Sequence, residues 1–122
     1  MGSQAHALYE RALAIQEKAR GPDHPEVAII LNNLAELHLT MRRPQDAIPL
    51  LERALVIYTT FEGIQHGEMD AQLNLATALI ASHGDRVRAL ALAGQARAGF
   101  RETGDIRKLA EVEQFLAEQV GQ

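Results

Sequence analysis

The sequence has no cysteine and no tryptophan. Disulfide staples and thiolate metal sites are therefore excluded, and stability has to come from packing alone. Aromatic residues are scarce at 4%. Long apolar runs are missing too. A stretch such as Leu75 to Ala81 is far too short to span a bilayer. Positive charge is in deficit, with a formal net charge of −4. That balance argues against nucleic acid as a partner, because such binding displaces counterions with excess cations. Met1-Gly2-Ser3 lacks the basic and apolar regions of a signal peptide and has the look of a cloning remnant. A cytoplasmic location with no membrane contact is the expectation.

What is present is alanine, leucine and a repeat. Apolar residues make up 47% of 122 positions, enough for one continuous core. Alanine and leucine lose little rotamer freedom on a helix, and no useful stretch alternates as a strand would. At an offset of 42 residues, Leu8-Tyr9-Glu10-Arg11-Ala12-Leu13-Ala14-Ile15 falls on Leu50-Leu51-Glu52-Arg53-Ala54-Leu55-Val56-Ile57 with six of eight positions identical. The register continues through Gly21 and Gly63, His24 and His66, Leu31 and Leu73, and Asn32 and Asn74. Identity sustained through helices and turns alike marks a repeat protein.

Helices are predicted near 4–19, 25–41, 44–61, 67–83, 86–102 and 106–119. Pro25 and Pro44 suit first helical positions, and Asp85 and Asp105 follow glycine as N-cap signals. Pro49 conflicts with the third helix and predicts a kink there. The apolar spacing of Ala47, Ile48, Leu51, Ala54, Leu55 and Tyr58 nevertheless runs through it.

The stretch Gly21-Pro22-Asp23-His24-Pro25-Glu26-Val27-Ala28, then Leu31-Asn32-Asn33-Leu34-Ala35, then Ala47 and the recurring Glu-Arg-Ala-Leu, resembles tetratricopeptide repeats of the kinesin-light-chain type. The likeness covers residues 8 to about 100. In the second unit Gly67 stands in place of the proline and Ala76-Thr77 in place of Leu-Ala. The resemblance implies an all-α fold, an α-solenoid whose antiparallel helix pairs stack in a right-handed superhelix with a concave binding face. On that basis residues 4–20 form a half repeat, 25–61 and 67–102 two repeats, and 106–119 a capping helix.

At about 100° per residue, Asn32, Asn33, Glu36 and Thr40 lie within about 60° of Ile29 on the second helix. Val27, Ile30, Leu31, Leu34, His38 and Met41 occupy the opposite side as core. The corresponding stripe of the fourth helix is Ala71, Asn74, Ala78, Ala81 and Ser82. By family analogy these stripes line the groove. Asparagine is a poor helix former; its amide both donates and accepts, which suits either a clamp on a peptide backbone or a solvated side chain that satisfies a neighbouring turn. No cation lies on either stripe, so a neutral or mildly basic partner segment facing Glu36 fits better than a carboxylate.

The cations Arg86, Arg88, Arg97, Arg101, Arg107 and Lys108 are interleaved with acids and read as a solvated face. The first helix matches the second helix of a repeat but lacks its own partner. Its stripe of Leu8, Tyr9, Ala12 and Ile15 is therefore expected to be partly bare. Either the chain is cut from a longer array, or that surface pairs with another copy. Self-association, or the linking of domains through the ends of the stack, is thus the alternative to groove binding.

Catalytic chemistry is not expected. Ser82-His83-Gly84-Asp85 has the letters of a triad, but neighbours at a helix end point apart. Gly94 and Gly99 have phosphate-loop spacing, yet Phe100 and Arg101 stand where lysine and a hydroxyl residue are required. His66 with Glu68 and Asp70 offers at most a weak cation site, and His38 reads as a packed, hydrogen-bonded imidazole. No cofactor, metal or enzymatic activity is expected, and a protein or peptide is the implied partner.

Overall fold

The structure, a computed structural model, describes residues 2–61 and 65–121, with Gln65 and His66 described by their backbone only. Among these residues lie six α-helices: α1 (Gly2–Arg20), α2 (Pro25–Thr40), α3 (Pro44–Thr60), α4 (Gln65–Ala81), α5 (Arg86–Thr103) and α6 (Ile106–Val120). No strand occurs among the described residues. The first helix begins earlier than the spacing predicted. Gly2 and Ser3 are helical, and a Cβ on Gly2 would meet Met41 Sδ at 2.5 Å, so these residues belong to the fold whatever their origin.

The helix boundaries have local causes. His24 caps α2 with its own ring, Nδ1 accepting from the Glu26 amide at 3.0 Å. Asp85 and Asp105 cap α5 and α6 by accepting from the Arg88 and Lys108 amides at 3.0 and 3.1 Å. Each cap satisfies one amide that has no partner within its helix. Helix ends turn through left-handed backbone at Gly21, Arg42, His83 and Gly104. Helix α3 runs on through Pro49 without interruption. Both Pro49 and Gln45, whose carbonyl the missing amide leaves without its helical donor, are exposed residues on the solvent side of the helix.

The helices stack consecutively. Helix α2 packs on α1 and α3, α4 on α3 and α5, α5 on α6, and α2 also touches α4. Polar contacts define two layers. In the odd layer, Arg53 on α3 reaches Glu17 on α1 at 2.7 Å, and Arg88 on α5 reaches Glu52 on α3 at 2.8 Å. In the even layer, Asn74 on α4 bonds to α2, and Asp70 on α4 pairs with Lys108 on α6. Between the layers lies one core of Val27, Leu31, Leu51, Ile57, Leu75, Phe100 and Val112 with interspersed alanines. The alanines let neighbouring backbones approach closely while the larger side chains interdigitate.

Two further glycines mark tight approaches. A Cβ on Gly67 would sit 2.6 Å from the Tyr58 ring, and one on Gly99 would sit 2.0 Å from Met69 Sδ. Gly99 is therefore a helix-packing residue inside α5 and takes no part in a phosphate loop.

Candidate polar surface of the even helices

Seen from α2, the expected stripe divides into buried and open members. Ile29, Glu36 and Thr40 are exposed, and Asn33 is half-buried. Asn32 is only 6% exposed. Its Oδ1 accepts from Asn74 Nδ2 at 2.9 Å, and the same amide nitrogen donates to Glu36 Oε1 at 3.2 Å. Asn32 is thus a structural member of the network beneath the surface, with Asn74 and Glu36 above it. Thr40 returns its hydroxyl to the Glu36 carbonyl at 3.0 Å, within its own helix.

On α4 the open line differs from the expected one. Ala71 and Ala78 are completely buried and cannot line a groove. They serve the close packing of α4 instead. Ser82 is half-buried beyond the helix end and donates to the Leu79 carbonyl at 3.3 Å. The accessible line runs through Asp70, Asn74, Thr77 and Ala81, at the i, i+4, i+7, i+11 spacing of one helical face. Asp70 and Thr77 were missed by the sequence reading, although Asp70 lies one turn before Asn74 and that signal was available. The equivalence of the two repeats aligned α4 one position away from the line that packing leaves open.

Lys108 of α6 adds a cation beside this surface, although none lies on the α2 or α4 stripe itself. Its ammonium sits 3.5 Å from Asp70 Oδ1 and 3.6 Å from Glu111 Oε2. Burial pushes the Asp70 carboxyl above the usual range. Lys108 opposes that shift, while Glu36 and Asp105 add to it. Burial, followed by the fields of Asp70 and Glu26, pushes the Tyr58 phenol up to about 12. The surface is therefore acidic, with one lysine at its α6 border.

The other chemical readings find no support in position. His83 sits in a left-handed turn with φ of 59°, outside the helix that precedes it. The His66 side chain lies outside the described residues. Among those residues no group of three or more histidines and carboxylates could hold a metal ion. His38 is packed, as expected, but its Nδ1 has no hydrogen-bond partner. Its ring meets His6 of α1 edge to face, with centroids 5.3 Å apart. Burial lowers its pKa, helped by His6 and Arg43 and opposed by Asp46 and Glu10. No described helix is long and apolar enough to cross a membrane.

Stacked helix pairs in two layers, with polar residues along one of them, define an α-helical repeat solenoid. Residues 3–60 match the family model described as Tetratricopeptide repeat, so that part of the chain carries tetratricopeptide-repeat sequence. No curated protein matches the chain. Repeats of this family are in general non-catalytic modules for protein interaction.

Proposed function

We propose that the even helices bind an extended segment of another protein along the line of Asn33, Glu36, Asp70 and Asn74. The Asn32–Asn74–Glu36 network carries this reading. Both hydrogens of the Asn74 amide are spent within the protein, on Asn32 and Glu36. That leaves the Asn74 carbonyl and the Glu36 carboxylate as acceptors on the accessible line, with the part-buried Asp70 carboxylate, paired to Lys108, beside them. This surface is rich in acceptors, and only the Asn33 amide adds donors to it. Backbone amides and lysine or arginine side chains are the complementary groups, so the favoured partner segment is mildly basic. In this reading residues 4–20 are a half repeat, 25–61 and 67–102 are repeats, and 106–119 caps the stack.

The test is to select a binding peptide from a random library and measure its affinity by fluorescence polarisation. Asn33→Ala with Asn74→Ala should weaken binding about tenfold or more while helicity is preserved. Glu36→Gln should weaken it further for a basic peptide than for a neutral one. Unchanged affinity across these variants would sink the surface assignment and leave the fold standing.

A further inference from the structure

The internal repeat provides its own control for the outer face of α1. Ile57 on α3 is 2% exposed, whereas Ile15, its equivalent 42 positions earlier, is 57% exposed. Leu50 packs against the core, whereas its equivalent Leu8 is 65% exposed. Arg53 is bound by Glu17 and by the Pro22 carbonyl at 2.7 and 2.9 Å. Its equivalent Arg11 is exposed and has no ion-pair partner among the described residues. The side chains that seat α3 against its preceding helices recur on α1, without anything to receive them. They form the exposed line Gln4, Leu8, Arg11, Ile15 and Lys18, a single stripe along the helix.

The opposite end of the molecule carries a counterpart. Helix α6 exposes Ile106, Ala110, Glu113, Ala117 and Val120 at the same i, i+4, i+7, i+11, i+14 spacing. Ile106 and Val120 are 81% and 87% exposed, more than any other large apolar residue among those described. Glu113 is exposed and has no ion-pair partner among the described residues. Laid antiparallel, the two stripes match position by position. Leu8 falls opposite Ala117, Arg11 opposite Glu113, Ile15 opposite Ala110, and the stem of Lys18 over Ile106. Two large side chains meet two small ones on either side of a central pair of opposite charge. This is the pattern of two helices that pack closely in one register.

We infer that copies of this chain associate head to tail, α1 of one seated antiparallel on α6 of the next through Arg11 and Glu113. The contact is heterologous, since different surfaces meet, so it propagates into an open chain and does not close as a dimer. It lies at the ends of the stack and leaves the even-layer surface free.

Sedimentation of residues 1–122 over a wide concentration range tests this. The weight-average mass should rise continuously with concentration and show no plateau at a dimer. Arg11→Glu and Glu113→Arg should each weaken association about tenfold or more, because like charges then face each other. Combining the two should restore it, and an equimolar mixture of the single variants should associate as the parent does. Both positions are exposed, so circular dichroism should show unchanged helicity. A monomer at every concentration would overturn the inference and assign the α1 face to a segment outside these residues. Loss of association with Arg11→Glu alone, without any effect of Glu113→Arg, would overturn it in favour of α1 pairing with α1.

Discussion

Asn74 donates its side-chain amide to Asn32 Oδ1 at 2.9 Å, and the two residues hold the same position one 42-residue repeat apart. The repeat therefore makes contact with itself. The second copy of an asparagine spans the gap to the first and ties α4 to α2 through side chains. The bond is part-buried, so either partner left alone would carry the desolvation cost of an unpaired amide.

Asn74→Ala removes two hydrogen bonds and leaves the nearly buried Asn32 carbonyl unpaired. It should lower stability by about 1–2 kcal/mol, read from urea unfolding. Removing both asparagines should cost less than the sum of the single changes, because the two act as one unit. Strict additivity would mean that the bond contributes nothing in solution.

Gly67→Ala and Gly99→Ala should each destabilise by about 1–3 kcal/mol through overpacking. Their added Cβ atoms would lie 2.6 Å from the Tyr58 ring and 2.0 Å from Met69 Sδ. Truncating Met69 to alanine as well should relieve part of the Gly99 penalty. Thermal unfolding of the single and double variants checks this.

Arg42 and His83 end α2 and α4 with φ of 61° and 59°, where a Cβ is strained. Arg42→Gly and His83→Gly should each stabilise by about 0.5–1 kcal/mol, less whatever flexibility glycine adds to the unfolded chain. The reverse change, Gly104→Ala, should destabilise by a similar amount or more. A fall in Tm for both glycine variants would contradict the assigned turns.

Two groups link stability to pH with opposite signs. His38 is held below its ordinary value of 6.5, so the fold disfavours its protonated form. Its contribution is complete above pH 6.5 and is lost as pH falls through that value toward the folded pKa. Asp70 is held above 3.8, so the fold disfavours its ionised form. Its favourable contribution is present below that value and is lost as pH rises through the folded pKa. His38→Leu should flatten the decline in Tm below pH 6.5, and Asp70→Asn should raise Tm at neutral pH. A steeper acid slope for His38→Leu, or a lower Tm for Asp70→Asn, would refute the respective reading.

Much of the architecture was legible because its causes are local. The caps at His24, Asp85 and Asp105 and the prolines at Pro25 and Pro44 set the helix starts within a few residues of their predicted positions. Pro49 does not end α3, because the apolar spacing that continues through it packs the helix on both sides of the lost bond. The polar surface was legible only in part. Asn33, Glu36 and Asn74 are accessible to solvent, whereas Ala71 and Ala78, expected beside them, lie on a face that packing closes.

The sequence by itself determined the number of helices, their order and the recurrence of the unit, because propensity, capping and a 42-residue period are written in neighbouring residues. Only the tertiary structure decided which face of α4 stays open, because a small rotation about the helix axis exchanges Asp70 for Ala71 and Thr77 for Ala78. It also decided that Lys108 borders the acidic surface and that Gly67 must replace the proline of the first repeat, opposite the Tyr58 ring. Each of these facts depends on the distance between helices that are remote in the chain, and that distance is set by the packing of the core.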